Sequence, residues 1–216
     1  MLLAALLATS ATACAATDAW GLIDVNRSAL VVIDVSDPFL AKLPLSERKS
    51  VVDRATFLIR IARAMQMPLV VTAENSPPEK SVTQDIAALL PDGQKIYDKT
   101  VWNLAGQQDI RAAIDAMNRT TFILVGLETD VCVAQSALGL KAAGYRAVVV
   151  EDATASPPPH HEAGLRRVRD AGITVTTTKG LYYELVRDIP TEARVFEKAT
   201  ANLTCPLRNC ASDYTW

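Results

Sequence analysis

Apolar and polar residues form two alternating patterns along the chain. Short apolar runs rich in β-branched residues are typical of buried strands, and longer segments with apolar residues three or four positions apart are typical of helices. Six strands are predicted, at 29–35, 69–73, 95–98, 121–125, 146–150 and 173–177. Helices are predicted at 46–67, 82–90, 107–118, 130–143, 157–171 and 180–187, and no clear pattern follows Pro190.

This alternation of strands and helices predicts an α/β fold. Strands separated by helices at these intervals pair in parallel, and right-handed crossovers place helices on both faces of the sheet. We therefore expect a three-layer αβα domain of Rossmann-like type around a six-stranded, mostly parallel sheet. Ligands of such sheets bind beyond the carboxyl ends of the strands, so polar residues at those ends are the first candidates for a functional site.

The composition narrows the class of partner. The chain has 216 residues, of which 50% are hydrophobic and 21% are charged, and these values fit a packed globular protein. Its formal net charge of −2 gives no overall basic field, so we expect no nucleic-acid partner. No apolar run reaches the ~18 residues that a membrane span needs. We therefore expect no membrane span.

The first residues have a composition of their own. Residues 1–19 carry no charge before Asp18, and an apolar block is followed by small residues in an A-x-A pattern. This layout resembles a secretory signal peptide, although Lys and Arg are missing ahead of the apolar block. Two localisations therefore stay open: periplasmic or secreted if residues 1–16 are a signal peptide, and cytoplasmic otherwise.

The leader and the tail set the expected domain boundaries. We expect one folded domain over residues 20–190 and a C-terminal extension over 191–216. Two cysteines of that extension, Cys205 and Cys210, are separated by four residues. They are expected either to form a disulfide, as is common outside the cytosol, or to remain free thiols.

Three residues lie where the predicted sheet should bind a ligand. Asp34 is near the end of the first strand, Lys99 follows the third, and Cys132 follows the fourth, in the first turn of a helix. A helix N-terminus and a nearby lysine both favour a thiolate, and a carboxylate can take the thiol proton. These residue types therefore fit a nucleophile, a charge stabiliser and a general base. Each residue alone has an ordinary structural explanation, so the prediction of a catalytic site depends on all three residues lying together.

The segments around these residues resemble the isochorismatase-like cysteine hydrolases. The resemblance covers roughly residues 20–189, and the stretch 126–133 (GLETDVCV) is its most specific element. The family implies a catalytic triad of Asp34, Lys99 and Cys132 and assembly as a homo-oligomer. It also implies a non-proline cis peptide bond shortly before the nucleophile.

The resemblance and the chemistry suggest one mechanism. Asp34 accepts the thiol proton of Cys132, Lys99 holds the ion pair, and the sulfur attacks a small amide-like carbonyl. The backbone N–H groups of Val131 and Cys132 stabilise the oxyanion, and water releases a thioester acyl-enzyme. Phe39, which flanks the triad, is expected to wall the substrate pocket or simply to pack in the core.

Trp102 flanks the triad in the same way and has the same two interpretations. The chain also departs from the family pattern, because Ser36 stands where many members have Gln. No His precedes His160, so the metal site of the nicotinamidase-type members is absent, and we expect neither a metal nor a cofactor. The adjacent His160 and His161 are expected to be a solvated helix start.

Cys132 also separates the chain from true isochorismatases, which lack this nucleophile. We therefore expect a member of the metal-free branch with an undefined substrate. Two other functions stay open. The protein could be a thiol redox protein that cycles Cys132, or a catalytically idle binding protein on the same fold.

Overall fold

A six-stranded sheet forms the centre of the protein, and the computed structural model describes residues 21–75 and 82–201. The strands are β1 (Ser28–Ile33), β2 (Leu69–Glu74), β3 (Ile96–Lys99), β4 (Thr121–Leu127), β5 (Arg146–Ala155) and β6 (Thr174–Thr176). Their order is β3-β2-β1-β4-β5-β6, and every neighbouring pair is parallel. The predicted six-stranded α/β sheet is confirmed.

Helices cover both faces of this sheet. They are α1 (Asp37–Leu40), α2 (Leu45–Ala64), α3 (Gln84–Ala87), α4 (Gln108–Ala116), α5 (Ala134–Ala142), α6 (His160–Asp170), α7 (Thr178–Val186) and α8 (Ile189–Thr200). Apolar residues of α2, α3, α7 and α8 share one core layer, and those of α4, α5 and α6 share the other. The three-layer architecture is therefore confirmed.

The side chains of the central strand β1 pack into the hydrophobic cores on both faces of the sheet. All six of its residues are buried. Leu30 and Val32 belong to one core cluster, whereas Ala29 and Val31 belong to the other, because successive side chains of a strand point to opposite faces. A continuous apolar run is what a strand covered on both faces requires.

The carboxyl end of β1 turns sharply toward the site. The strand ends at Ile33, two residues earlier than predicted, because Asp34 has a positive φ of 52° and leaves the extended conformation. On the neighbouring strand, Gly126 has a φ of 116°, and a Cβ there would lie 2.0 Å from the Ile33 carbonyl oxygen. Glycine thus lets β1 and β4 approach closely just before the functional residues begin.

The last described helix, α8, lies across the predicted boundary at residue 190. The Asp188 side chain caps it by accepting a hydrogen bond from the Thr191 amide. Val195 and Ala199, four residues apart, are buried in the core layer that contains α2. The chain after Pro190 therefore continues the fold, and the division into domain and extension stays a prediction.

Two predictions fall on residues that the structure does not describe. The proposed leader over 1–19 and the pair Cys205 and Cys210 lie outside the described ranges. Among the helices within those ranges, none is both long enough and apolar enough to cross a membrane.

Candidate active site

The candidate site lies at the carboxyl edge of four adjacent strands. Asp34 follows β1, Lys99 is the last residue of β3, and Cys132 lies in the turn after β4. The intervening strand β2 contributes Thr72 and Glu74. Because the strands are parallel, their carboxyl ends meet at one edge, and the three sequence-predicted residues lie together there.

The Lys99 ammonium is the centre of this group. Its Nζ lies 3.0 Å from Asp34 Oδ2 and 3.5 Å from the Cys132 sulfur, and it donates to the Val101 carbonyl at 3.0 Å. The side chains of Asp34 and Lys99 are fully buried. Asp34 also accepts a hydrogen bond from the Thr72 hydroxyl at 2.8 Å. A buried ion pair with these added contacts has a fixed geometry.

Glu74 is a further charged residue of the site that the sequence analysis missed. The Cys132 thiol donates to Glu74 Oε2 at 3.3 Å, and Lys99 Nζ lies 3.5 Å from the same oxygen. Glu74 ends β2 and is the register partner of Lys99 on β3. The rule that selected Asp34, a polar residue at the carboxyl end of a strand, also selects Glu74. The sequence analysis applied this rule to the first, third and fourth strands and not to the second.

The donor atoms of Asp34, Glu74 and Cys132 form a set that could hold a metal ion, since they all lie within 4.8 Å of one another. The ammonium of Lys99, however, lies 3.0 to 3.5 Å from an atom of each of them. A protonated lysine in that position already neutralises the two carboxylates and repels a second cation. The donor set therefore fits an ammonium better than a metal.

Burial and charge decide the protonation of the site. Burial raises the pKa of the Cys132 thiol, the negative charge of Asp34 raises it further, and Lys99 opposes both. Burial also raises the pKa of Asp34 in spite of the attraction of Lys99. Burial alone would lower the Lys99 pKa, but Asp34 and Cys132 outweigh it, so that pKa is raised.

These shifts change one expectation from the sequence. The sequence predicts that the helix N-terminus and Lys99 favour a thiolate and that Asp34 accepts the thiol proton. The raised pKa of Cys132 instead favours a protonated thiol, because burial and negative charge outweigh the ammonium. The thiol proton must therefore leave the sulfur when the nucleophile reacts.

The nucleophile lies in a π-helical turn, Thr129–Val133, that precedes α5. The peptide bond Leu127–Glu128 is cis, as the resemblance implied. The Asp130 carboxylate accepts a hydrogen bond from the Ser156 hydroxyl at 2.6 Å. The turn is therefore held to the end of β5 and not capped by its own side chains.

One predicted oxyanion donor is already occupied in this turn. The Val131 amide donates to the Glu128 carbonyl at 3.2 Å. It would have to leave that bond to stabilise an oxyanion. The role of the Val131 and Cys132 amides therefore stays a prediction.

A cavity of about 250 Å³ opens beside the ion pair. Glu74, Lys99 and Trp102 line it, and Trp102 is 58% exposed. Phe39 is not part of this lining; its ring packs against the core and lies under the Lys42 ammonium at 4.2 Å. Of the two predicted pocket walls, Trp102 lines this cavity and Phe39 does not, and substrate contact by either residue stays a prediction.

A larger cavity of about 350 Å³ lies behind the nucleophile turn. Ser156 and His161 are part of its lining, and the His161 ring lies 2.9 Å from the Thr129 hydroxyl. His161 therefore contacts the nucleophile turn, whereas His160 is the exposed start of α6, as predicted. The smaller cavity is the candidate site because it contains Lys99 and Glu74.

Comparison with known proteins agrees with this geometry. The isochorismatase domain matches residues 28–180, which include Asp34, Lys99 and Cys132. The chain belongs to the isochorismatase family. The match covers more than half of the chain and ends within α7.

Relatives and a solved structure place it among isochorismatase-like hydrolases. Isochorismatase family protein 2B of Dictyostelium discoideum is 26% identical over 178 residues, covering 77% of this chain and 80% of that protein. The secreted isochorismatase effector Isc1 of Phytophthora sojae is 28% identical over 180 residues, covering 80% of this chain and 83% of that protein. The YcaC product of Escherichia coli, described as an octameric hydrolase of unknown specificity, superposes with a TM-score of 0.76. It is 24% identical, and the match covers 92% of this chain and 98% of that chain.

Proposed function

We propose that the protein is a cysteine hydrolase that cleaves a C–N bond in a small amide-like substrate. One observation carries this proposal: the Cys132 sulfur lies 3.5 Å from an ammonium group that is paired with a buried carboxylate at 3.0 Å. A thiol in contact with both a positive charge and a proton acceptor is the arrangement that nucleophilic catalysis needs.

The proposed reaction forms a covalent intermediate. The thiol loses its proton to a neighbouring carboxylate as the sulfur attacks the carbonyl carbon. Lys99 stabilises the negative charge on the sulfur, and Asp34 holds the lysine in place. The amine leaves with a proton, and water then hydrolyses the thioester acyl-enzyme.

The cavity sets the size of the substrate. Its volume of about 250 Å³, with Trp102 as one wall, suits a small molecule. Lys99 and Glu74 supply the charged lining. No metal or cofactor takes part in the proposed reaction.

A panel of small amides, ureides and carbamoyl compounds tests this function by ammonia release. We expect wild-type protein to hydrolyse at least one compound and Cys132→Ala to be inactive. The alanine variant should unfold at nearly the same temperature, because Cys132 is a small side chain and its removal leaves only a small cavity. Activity that survives in Cys132→Ala would refute the proposal.

The thiol redox alternative predicts a different result. Peroxide turnover with a thiol donor, without amide hydrolysis, would favour it. A redox cycle also uses a resolving thiol, and Cys132 is the only cysteine within residues 21–75 and 82–201. A catalytically idle binding protein would show neither activity.

Assembly and export are further parts of the proposal. A homo-oligomer is supported by the octameric YcaC relative, and light scattering of the purified chain would test it. Export is supported by the leader pattern over 1–16 and by a relative described as secreted. Mass spectrometry of the mature N-terminus would decide whether that leader is removed.

A further inference from the structure

We propose that Glu74 is a fourth catalytic group, whose carboxylate takes the proton of the Cys132 thiol and delivers it to the leaving nitrogen. This inference rests on the proposed cysteine hydrolase function. It assigns to Glu74 the proton transfer that the sequence alone suggested for Asp34.

The position of Glu74 carries the first step of the argument. The Cys132 thiol donates to Glu74 Oε2 at 3.3 Å, so this carboxylate is in position to accept the proton. Asp34 also hydrogen-bonds to Cys132, and this contact lowers the Asp34 pKa against the larger effect of burial. Lys99 Nζ lies 3.5 Å from that oxygen and 3.5 Å from the sulfur. One ammonium can therefore stabilise the negative charge on the carboxylate before transfer and on the sulfur after it.

Asp34 and Glu74 differ in their accessibility, and this difference bears on which carboxylate can protonate the leaving nitrogen. The Asp34 side chain is fully buried and is held by Lys99 and Thr72. Glu74 lines the candidate cavity and keeps 28% of its side chain exposed, whereas neither Asp34 nor Cys132 is part of that lining. Cys132 contacts two residues of the lining, Glu74 and Lys99. Of the two carboxylates, Glu74 is therefore the one that a leaving amine in the cavity can contact directly. A group that protonates the leaving nitrogen must reach it.

The proton balance closes without another reactant. During attack, the S–H bond of Cys132 breaks and an O–H bond forms on Glu74, while the sulfur–carbon bond forms and the carbonyl oxygen becomes an oxyanion. On collapse, the C–N bond breaks, and the nitrogen takes the proton from Glu74. Glu74 returns to the carboxylate, which can then activate the water that cleaves the thioester.

The test compares Glu74→Gln with a matched control. Glutamine keeps the size of the side chain and removes its ability to carry the proton. Asp98→Asn makes the same chemical change one residue before Lys99 on β3, where the Asp98 side chain is exposed and alternation points it to the opposite face. Two measurements are made on both variants and on wild-type protein.

The first measurement is kcat for the best amide of the panel. We expect Glu74→Gln to lower it by about 100-fold, in the range found for removal of a general acid–base group, and Asp98→Asn to leave it unchanged. The second is the rate at which iodoacetamide alkylates Cys132 near neutral pH, followed by peptide mass spectrometry. A carboxylate that takes the thiol proton also assists attack on iodoacetamide, so the glutamine variant should be alkylated several-fold more slowly near neutral pH. This difference should shrink as the pH rises, because the thiol then ionises without the carboxylate.

Recovery of the alkylation rate at alkaline pH identifies a proton carrier. Slower hydrolysis together with slow alkylation that persists at alkaline pH would mean that Glu74 only holds the site in shape, and would overturn the inference. Unchanged hydrolysis would return the proton transfer to Asp34, and unchanged alkylation would show that the thiol proton does not depend on Glu74. If wild-type protein hydrolyses no amide, the proposed function itself fails and this inference fails with it.

Discussion

Removal of the Lys99 ammonium by Lys99→Met should destabilise the whole domain. Both partners of the Asp34–Lys99 pair are fully buried, with 3.0 Å between Nζ and Oδ2. Methionine keeps most of the apolar stem of the lysine but leaves Asp34 as a buried carboxylate without its ammonium. Breaking a buried pair in this way costs about 3–5 kcal/mol, a large part of the stability of an ordinary domain.

Urea unfolding followed by tryptophan fluorescence measures this loss. All variants must be compared at one protein concentration, because assembly into oligomers would add to the apparent stability. Lys49→Met is the matched control, since Lys49 pairs with Asp53 on the exposed side of α2 and should contribute little.

A double variant separates the ion pair from simple packing. Asp34→Asn combined with Lys99→Met removes both charges, so its loss should be clearly smaller than the sum of the two single losses. A loss below about 1 kcal/mol for Lys99→Met would contradict the argument. Strictly additive losses would contradict it as well, because they would mean that the two charges do not stabilise each other.

Two further predictions concern the nucleophile and its turn. Because the pKa of the Cys132 thiol is raised, iodoacetamide should alkylate it more slowly than a free cysteine at about pH 7. The alkylation rate should increase through the alkaline range. A rate that reaches its plateau below neutral pH would contradict the raised pKa. Gly164→Ala places a Cβ 2.7 Å from the Asp130 backbone, so it should destabilise the fold by about 1–3 kcal/mol and lower turnover. In the same assays, Gly106→Ala should change neither the stability nor the turnover, because its Cβ would meet nothing closer than 3.9 Å.

The sequence predicted the sheet and most of the site for one physical reason. Apolar runs mark strands that are buried on both faces, and parallel strands bring their carboxyl ends together. That rule was enough to bring Asp34, Lys99 and Cys132 to one place. The same rule applies to Glu74, which directly follows the second predicted strand and was not selected.

Other features depend on distances that no pattern along the chain contains. Phe39 flanks Asp34 in sequence, but its ring packs against the core and is not part of the cavity lining. The amphipathic spacing of Val195 and Ala199 follows a proline, and its partner surface on α2 lies far away in sequence. These outcomes are set by tertiary packing, which local propensity does not determine.

The protonation state of Cys132 bears directly on the choice between hydrolase and redox protein. A redox-sensing cysteine reacts with peroxide as a thiolate and therefore needs a lowered pKa. Burial and the negative charge of Asp34 raise the pKa of Cys132 instead. A hydrolase tolerates a resting thiol, because the attack on the carbonyl and the proton transfer to a carboxylate can occur together. Glu74 also raises the Cys132 pKa, and its carboxylate is the acceptor that we propose for hydrolysis.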